Sequence, residues 1–366
     1  MKFTVDRDTL MKEIAIASEI ISSKNTLSVL SNVLLWAEDG NLGIRATDLK
    51  VSFETQIPVE VETAGRTTVY CDKLLGILRS LPQGDVVLQH AHEQVTITPT
   101  ERKADFRLRS IAAEKYPEIQ LTSSESYWEL PQTEFIEMIT HTVFAVSDDE
   151  TRYFMNGVYF EQLDGDLVMV ATDGRRLSYI KKTPEGEVPE FNGVIVPPKI
   201  LNLVKKLASG EGVIAVAVTE KHLFVEFENQ KLSTALIEGQ FPNYRRVIPD
   251  KQEYTLTADR AQLAEALKRV SLLVEKSRRI YLTLAEDQLT LSSDESEIGT
   301  ASEQLVCEYQ GPAMKIALNF LYLSEPLRVI QSESIVLRFS EPNKALMLIP
   351  NPEQDYFHIV MPMQLD

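Results

Sequence analysis

The chain says nearly the same thing twice. ATDLKVSF at 46–53 and ATDGRRLSYI at 171–180 open alike, and each follows an Asp-Gly-X-Leu stretch, Asp39 to Leu42 and Asp164 to Leu167. The offset is 125 residues both times, and Pro117 in EKYPEI and Pro242 in GQFPNY keep it, as do Phe3 with Trp128 and Leu10 with Phe135. A repeat as long as a domain forces the fold into copies of one unit. A third copy, LTADRAQLAEALKRVSLLV, begins at Leu256 and sets Leu263 where Leu10 stands in the first. At 366 residues the chain has room for three such units and is too long for one core.

Each copy has the same internal order. A short strand and a polar break lead into apolar residues spaced along one helical face, Leu10, Ile14, Ala17 and Ile21 in the first. Alternating hairpin patterns follow, NVLLWAEDGNLGIRATD, NGVYFEQLDGDLVMVATD and RRIYLTLAEDQLTLSSD. Asp-Gly predicts a type I′ turn in the first two. Glu286-Asp287-Gln288 in the third requires a different turn. DKLLGILRSL, PKILNLVKKL and NFLYLSEPLRVI then read as second helices, with Pro326 expected to break or restart the last. Further strand patterns close each copy. The expected fold is α+β: three similar domains over 1–121, 122–248 and 249–366, each with two helices packed on antiparallel sheets. Polar stretches at 121–126 and 248–253 mark the boundaries.

Few chemistries fit. No apolar run reaches the roughly 18 residues of a membrane span, and Lys2, Asp6, Arg7, Asp8 and Lys12 leave no room for a signal-peptide core. Cys71 and Cys307 stand far apart, which suits a reducing cytoplasm. Carboxylates cluster at Asp148-Asp149-Glu150, at Asp164 with Asp166, and at Asp294-Glu295 with Glu297, all in loop or turn patterns where such groups are solvated rather than metal-bound. His90 and His92 read as a pair on one strand face without a third ligand. GxxxxGK[ST], HExxH and GxSxG are absent from the sequence. The expectation is a non-catalytic protein with neither metal nor cofactor. A monomeric peptide-binding scaffold is the other non-catalytic reading, and oligomeric state separates the two.

MKFTV at the start, TDGRRL (172–177), GQFPNYRRVIP (239–249) and VMPMQL (360–365) together resemble the bacterial β sliding clamps, the processivity subunits of DNA polymerase III. The resemblance spans essentially the whole chain. It implies a head-to-tail homodimer closed into a ring of six similar domains around double-stranded DNA, with helices lining the hole and sheets outside. It also implies tethering of the polymerase III alpha subunit, clamp-loader subunits, other polymerases and repair proteins through short peptides.

By position, the resemblance assigns a peptide pocket to Met155, Thr172, Gly174, Arg175, Arg176, Leu177, Pro242, Arg246 and Val247. Asn319, Tyr322, Ile359, Val360, Met361, Pro362 and Met363 complete it. It puts Lys24, Arg79, Tyr153, Lys199 and Lys205 toward DNA, and Phe106 and Leu108 against Leu272 and Leu273 of a second copy. Arg175 replaces a histidine common in the family and Gln364 a basic residue, changes that bear on ligand preference. The residues themselves suit the role. Gly174 can adopt a turn conformation closed to side-chained residues, the prolines give rigid walls, and methionines adapt to several ligands. Ala-Thr-Asp, present in both copies, reads as scaffold, with Asp48 and Asp173 capping backbone amides.

A net charge of −17 opposes simple adhesion to nucleic acid. Yet the six helix windows 7–22, 72–81, 133–144, 197–208, 259–279 and 319–330 total +4, so the remainder carries −21. A relatively basic lining acts locally because charge is screened over about 8 Å at cellular ionic strength. Weak phosphate contacts then suit sliding, with retention left to topology.

Overall fold

The computed structural model describes residues 1–21, 27–118 and 127–365. Lys24 and the 121–126 boundary lie outside the described residues. Six helices appear in the expected places: α1 (Arg7–Ile20), α2 (Cys71–Ser80), α3 (Gln132–Thr142), α4 (Pro198–Leu207), α5 (Arg260–Val270) and α6 (Phe320–Val329). Short polar caps start three of them, α1, α5 and, through Asn319, α6. The Asp6 carboxylate accepts from Thr9 N at 2.8 Å, and Asp259 accepts from Gln262 N at 2.8 Å. Leu10, Ile14 and Ala17 of the predicted face of α1 are fully buried, whereas Ile21 lies past the helix end, half-buried, and Ile20 takes its place in the core.

Two expectations need correction. The window 259–279 is too long: α5 ends at Val270, and a 3₁₀ turn over Ser271–Leu273 follows. Pro326 does not break α6 but lies inside it. Proline forfeits one backbone bond at a cost of about 3 kcal/mol. Here the ring is buried with Leu323 and Leu327, and the Pro326 carbonyl still accepts from Ile330 N at 3.0 Å. Packing outweighs the lost bond.

The hairpins follow their turn chemistry. Asp39 and Gly40 have φ of 48° and 77°, and Asp164 and Gly165 have 53° and 90°, the doubly positive pattern of type I′ turns. In the third copy only Asp287 is positive, at 52°. Asp287 N donates to the Tyr309 carbonyl at 3.0 Å, and the Asp287 carboxylate accepts from Tyr309 N at 3.2 Å, so a neighbouring strand braces this turn.

The chain divides into two compact units, Met1–Glu129 with Val213–Ala235, and Leu130–Gly212 with Leu236–Asp366. In the first, α1 packs on α2, and one antiparallel sheet runs from Val213–Val218 through Gln230–Ala235 and Val51–Pro58 to Lys2–Asp6 and Glu60–Thr63. In the second, α3 packs on α4 and α5 on α6. Its larger sheet contains, in order, Val158–Leu163, Asp166–Thr172, Arg176–Lys182, Tyr356–Val360, Leu346–Asn351 and Ser334–Phe339. Both sheets join sequence copies edge to edge: Leu232 faces Phe53 across one junction, and Leu177 faces Ile359 across the other. Hydrogen-bonded junctions of this kind hold successive copies together without extra linker structure. Among the described residues, no helix is long and apolar enough to cross a membrane.

Candidate functional site

The junction in the second unit carries a pocket. Asp173 sits after the strand Asp166–Thr172, and its carboxylate accepts from Arg175 N at 2.9 Å and Arg176 N at 3.1 Å. Asp48 does the same for Lys50 N and Val51 N, at 2.9 and 2.7 Å, in the first copy. These are the amide caps expected of the shared Ala-Thr-Asp. Between Asp173 and the amides it caps, Gly174 takes φ +86°, and a Cβ there would stand 2.9 Å from Arg152 Nη1. Only glycine meets both constraints without strain.

The turn opens a cavity of about 200 Å³. Thr172, Gly174, Arg175, Arg176 and Leu177 line one side, and Met155 reaches in from the 3₁₀ segment Glu150–Met155. Pro242, Asn243, Tyr244 and Val247 form a second wall, and Ile359 and Met361 a third. Ile359, Leu177 and Tyr244 belong to a cluster of buried apolar residues beneath it. Val247 and Met361 stay exposed at the mouth, at 49% and 41%. A rigid apolar floor with adaptable rim side chains takes short apolar segments, not metals or phosphates.

Arg176 fixes this geometry. Its guanidinium bonds Asp173 at 3.1 Å, the Phe144 carbonyl at 2.7 Å and the Glu325 carboxylate. It also lies 4.8 Å above the Tyr322 ring and 5.7 Å from that of Phe144. One planar fork therefore ties the turn to α6 and to the chain after α3, which a lysine could not do. Nearby, hydrogen bonds from Thr151 and Arg152 hold the Asp149 carboxyl down to about 2, so the acidic loop before Arg152 is locked to its own cation.

Ten of the residues assigned by resemblance line the cavity: Met155, Thr172, Gly174, Arg175, Arg176, Leu177, Pro242, Val247, Ile359 and Met361. Arg246, Asn319, Tyr322, Val360, Pro362 and Met363 do not. Asn319 caps α6, accepting from Leu321 N at 3.1 Å; Tyr322 supports Arg176; Val360 is buried; and Met363 N donates to the Ala317 carbonyl at 2.8 Å. Asn243 and Tyr244 line the pocket without having been assigned to it. Their signal lay in GQFPNY itself, where an aromatic residue follows the proline.

Behind the pocket strand, α3 buries His141 against Tyr356, stacked at 3.8 Å, with His358 a further ring away at 5.9 Å. His358 Nδ1 meets Ser178 Oγ at 3.0 Å, while His358 Nε2 and His141 Nδ1 are buried without hydrogen-bond partners. Burial, reinforced by Lys182, pulls His141 down to about 4; burial, then His141 and Arg176, pushes His358 well below its usual range. Burial therefore favours the neutral form of both rings in the folded chain. The unfolded chain binds these protons near pH 6.5, so stability is full above that value and falls as the pH drops. His141 alone accounts for about 3 kcal/mol lost between pH 6.5 and 4. Urea unfolding should show this slope flattened in His141→Phe, and an unchanged slope would show that the ring carries no such penalty.

The pair His90 and His92 is not one strand face. His90 is the penultimate residue of the strand Asp85–Ala91 and meets Ser110 Oγ at 3.2 Å, while His92 lies in the turn that follows at φ 49°. Two-residue alternation fails there because the hairpin turns one residue earlier than the pattern suggests. Among the described residues, no group of three or more His, Cys, Asp or Glu could hold a metal ion.

Of the basic candidates, Arg79 is exposed on the last turn of α2, and Lys199 and Lys205 lie on α4, whose charges are all lysine. Tyr153 is 53% exposed. At the expected seam, residues 106–109 pair with Gln94–Pro99 on one side only, because Gly65–Tyr70 engages just Ser110 and Ile111. Phe106 and Leu108 are half-buried there. Ser302–Val306 ends the four-stranded sheet. Val306 at its end is 85% exposed, and elsewhere in the third copy Leu272 is 79% and Ile298 74% exposed. Leu272 and Leu273 are the residues the resemblance expects at a seam; the exposure of Ile298 and Val306 is not legible from the sequence, because an edge strand looks like any other until its partners are known.

The chain matches three family models in order: the DNA polymerase III beta subunit N-terminal domain over 1–120, central domain over 129–243 and C-terminal domain over 245–364. The beta sliding clamp of Treponema pallidum is 47% identical over 371 residues, covering 100% of both chains. That of Escherichia coli K12 is 30% identical over 369 residues with the same coverage. A crystal structure of the Pseudomonas aeruginosa sliding clamp, DNA polymerase III subunit beta, bound to griselimycin superposes with a TM-score of 0.94 at 30% identity, covering 100% of both chains.

Proposed function

The chain belongs to the DNA polymerase III beta subunit family, the β sliding clamps, and from that premise we propose how its residues divide the work. The function is that of a processivity factor: a non-catalytic homodimeric ring that encircles double-stranded DNA and tethers the polymerase and other proteins by peptide segments. The full-length, in-order match to all three family domains carries this conclusion. We keep the three sequence copies, 1–121, 122–248 and 249–366, as the working domains, and the cytoplasm as the working compartment.

In our reading, the cavity around Gly174, Leu177, Pro242 and Met361 receives the partner peptide, and the lysines of α4 with Arg79 face the duplex. The seam forms where the open edge at Phe106–Arg109 meets Ser302–Val306 of a second copy. Charge favours that pairing. Residues 102–109 carry Arg102, Lys103, Arg107 and Arg109 against Asp105, whereas 294–308 carries Asp294, Glu295, Glu297, Glu303 and Glu308 with no basic residue. Two open edges of opposite charge, flanked by exposed Leu272 and Val306, suit a joint of about 1,200–2,000 Å².

The experiment is a Leu272→Asp, Val306→Asp chain. Both residues are exposed, so folding should survive, while buried charge at the seam weakens association by at least about a hundredfold. Sedimentation is expected to give monomers, and primer extension on a long circular template should become distributive. A persistent dimer would move the seam elsewhere.

A further inference from the structure

The pocket does not end at Ile359. Leu177, Tyr179 and Lys181 alternate onto one face of their strand, and Ile359 and Phe357 stand opposite Leu177 and Tyr179 on the neighbouring strand. The same sheet face therefore runs out of the pocket into a second, larger cavity of about 820 Å³, floored by Tyr179, Phe357, Leu163 and Ile248. Tyr244 lines both cavities. Tyr179 and Phe357 stack at 4.7 Å with 12° between their planes, and Tyr244 leans on Tyr179 at 6.1 Å. Both stacked rings remain only half-buried.

We infer that this groove holds the part of the partner peptide that leaves the pocket, seating an aromatic or large apolar side chain on the Tyr179–Phe357 pair. This rests on the pocket assignment above. Continuity names the occupant, because a chain anchored over Leu177 and running along the strand face reaches Lys181 after about 13 Å, or about four extended residues. The rim does not ask for a charged ligand. Lys181 is paired with Asp166 at 3.1 Å, Lys182 with Glu137 at 2.7 Å, Arg245 with Glu161 at 2.8 Å and Glu353 with Arg338 at 2.8 Å. With every lining charge except that of Asp355 matched internally, the groove has chiefly its aromatic floor to offer.

The test uses the wild-type chain and the polymerase's own pocket-binding peptide, made as a core of about six residues and as versions lengthened by about four native residues at either end. One lengthened peptide is expected to bind about five- to tenfold tighter than the core, the gain of one well-seated aromatic contact. Tyr179→Ser should erase that gain and leave the core peptide's affinity unchanged. Raising the salt tenfold should leave the gain intact; a steep loss would mark a phosphate-type ligand on the cationic rim and overturn the proposal. Equal affinity of all the peptides for the wild-type chain, or a gain that survives Tyr179→Ser, would also overturn it. Core binding indifferent to Val247→Asp would instead bring down the pocket assignment itself, and the groove with it.

Discussion

Arg176→Ala is expected to cost about 3–5 kcal/mol of stability in the second unit, the penalty for breaking a buried ion pair from one side. The side chain is 11% exposed, and its removal strands the carboxylates of Asp173 and Glu325, at 16% and 27%, together with the Phe144 carbonyl. Those groups were desolvated against a cation and would have none. The turn around Gly174 would then lose the clamp that joins it to α6, so peptide affinity should fall about a hundredfold even where the variant stays folded. Arg176→Lys separates charge from shape. It keeps the cation but loses the fork, and should recover stability more than affinity. Denaturant unfolding and calorimetric titration with the core peptide measure the two losses. A variant within about 1 kcal/mol of wild type would mean the network is ornamental.

The first copy shows why this site arose in the second and how far the sequence reveals it. At the position of Gly174 the first copy has Leu49, which tolerates φ 73° but sends its side chain into solvent at 59% exposure. Where the second copy has Phe241, the first has Tyr116, whose hydroxyl accepts from Thr47 N at 3.1 Å. The scaffold is the same, with Asp48 and Asp173 capping alike. Yet the first copy uses its turn amide Thr47 N on its own Tyr116 hydroxyl, and the second has a phenylalanine there and a cavity beside the turn. Turns, helix faces and caps were legible because each is set by residues a few positions apart. What sequence spacing could not show was lateral: which strand of one copy joins the sheet of the next, which strand stays an edge, and that Tyr244 is shared by two cavities. Pro326 escaped for a related reason, since the energy that keeps it helical comes from packing, not from the backbone.

Linearising the DNA is expected to release a protein that high salt cannot. A chain carrying −17 overall has no general affinity for a polyanion. The basic groups we assign to the duplex are few, and Lys199, Lys205 and Lys206 on α4 are offset by Glu134 and Glu137 on α3. Contacts of that kind give non-specific dissociation constants of about 10⁻⁴–10⁻⁶ M at physiological salt and are lost as salt rises. If affinity held the protein, about 0.5 M salt would strip it from a closed circle. If encirclement holds it, the same salt only frees it to slide, and it persists until a restriction enzyme cuts the circle and it runs off the end. The lifetime ratio between uncut and cut circles should exceed about a hundredfold, since one escape requires opening a seam and the other only diffusion along the duplex. Replacing Lys199 and Lys205 with Glu should slow loading while leaving that ratio intact. The monomeric Leu272→Asp, Val306→Asp chain should abolish the ratio while leaving the lysines untouched. Protein stripped from the intact circle by salt, or retained on the cut one, would mean that it grips DNA and does not encircle it.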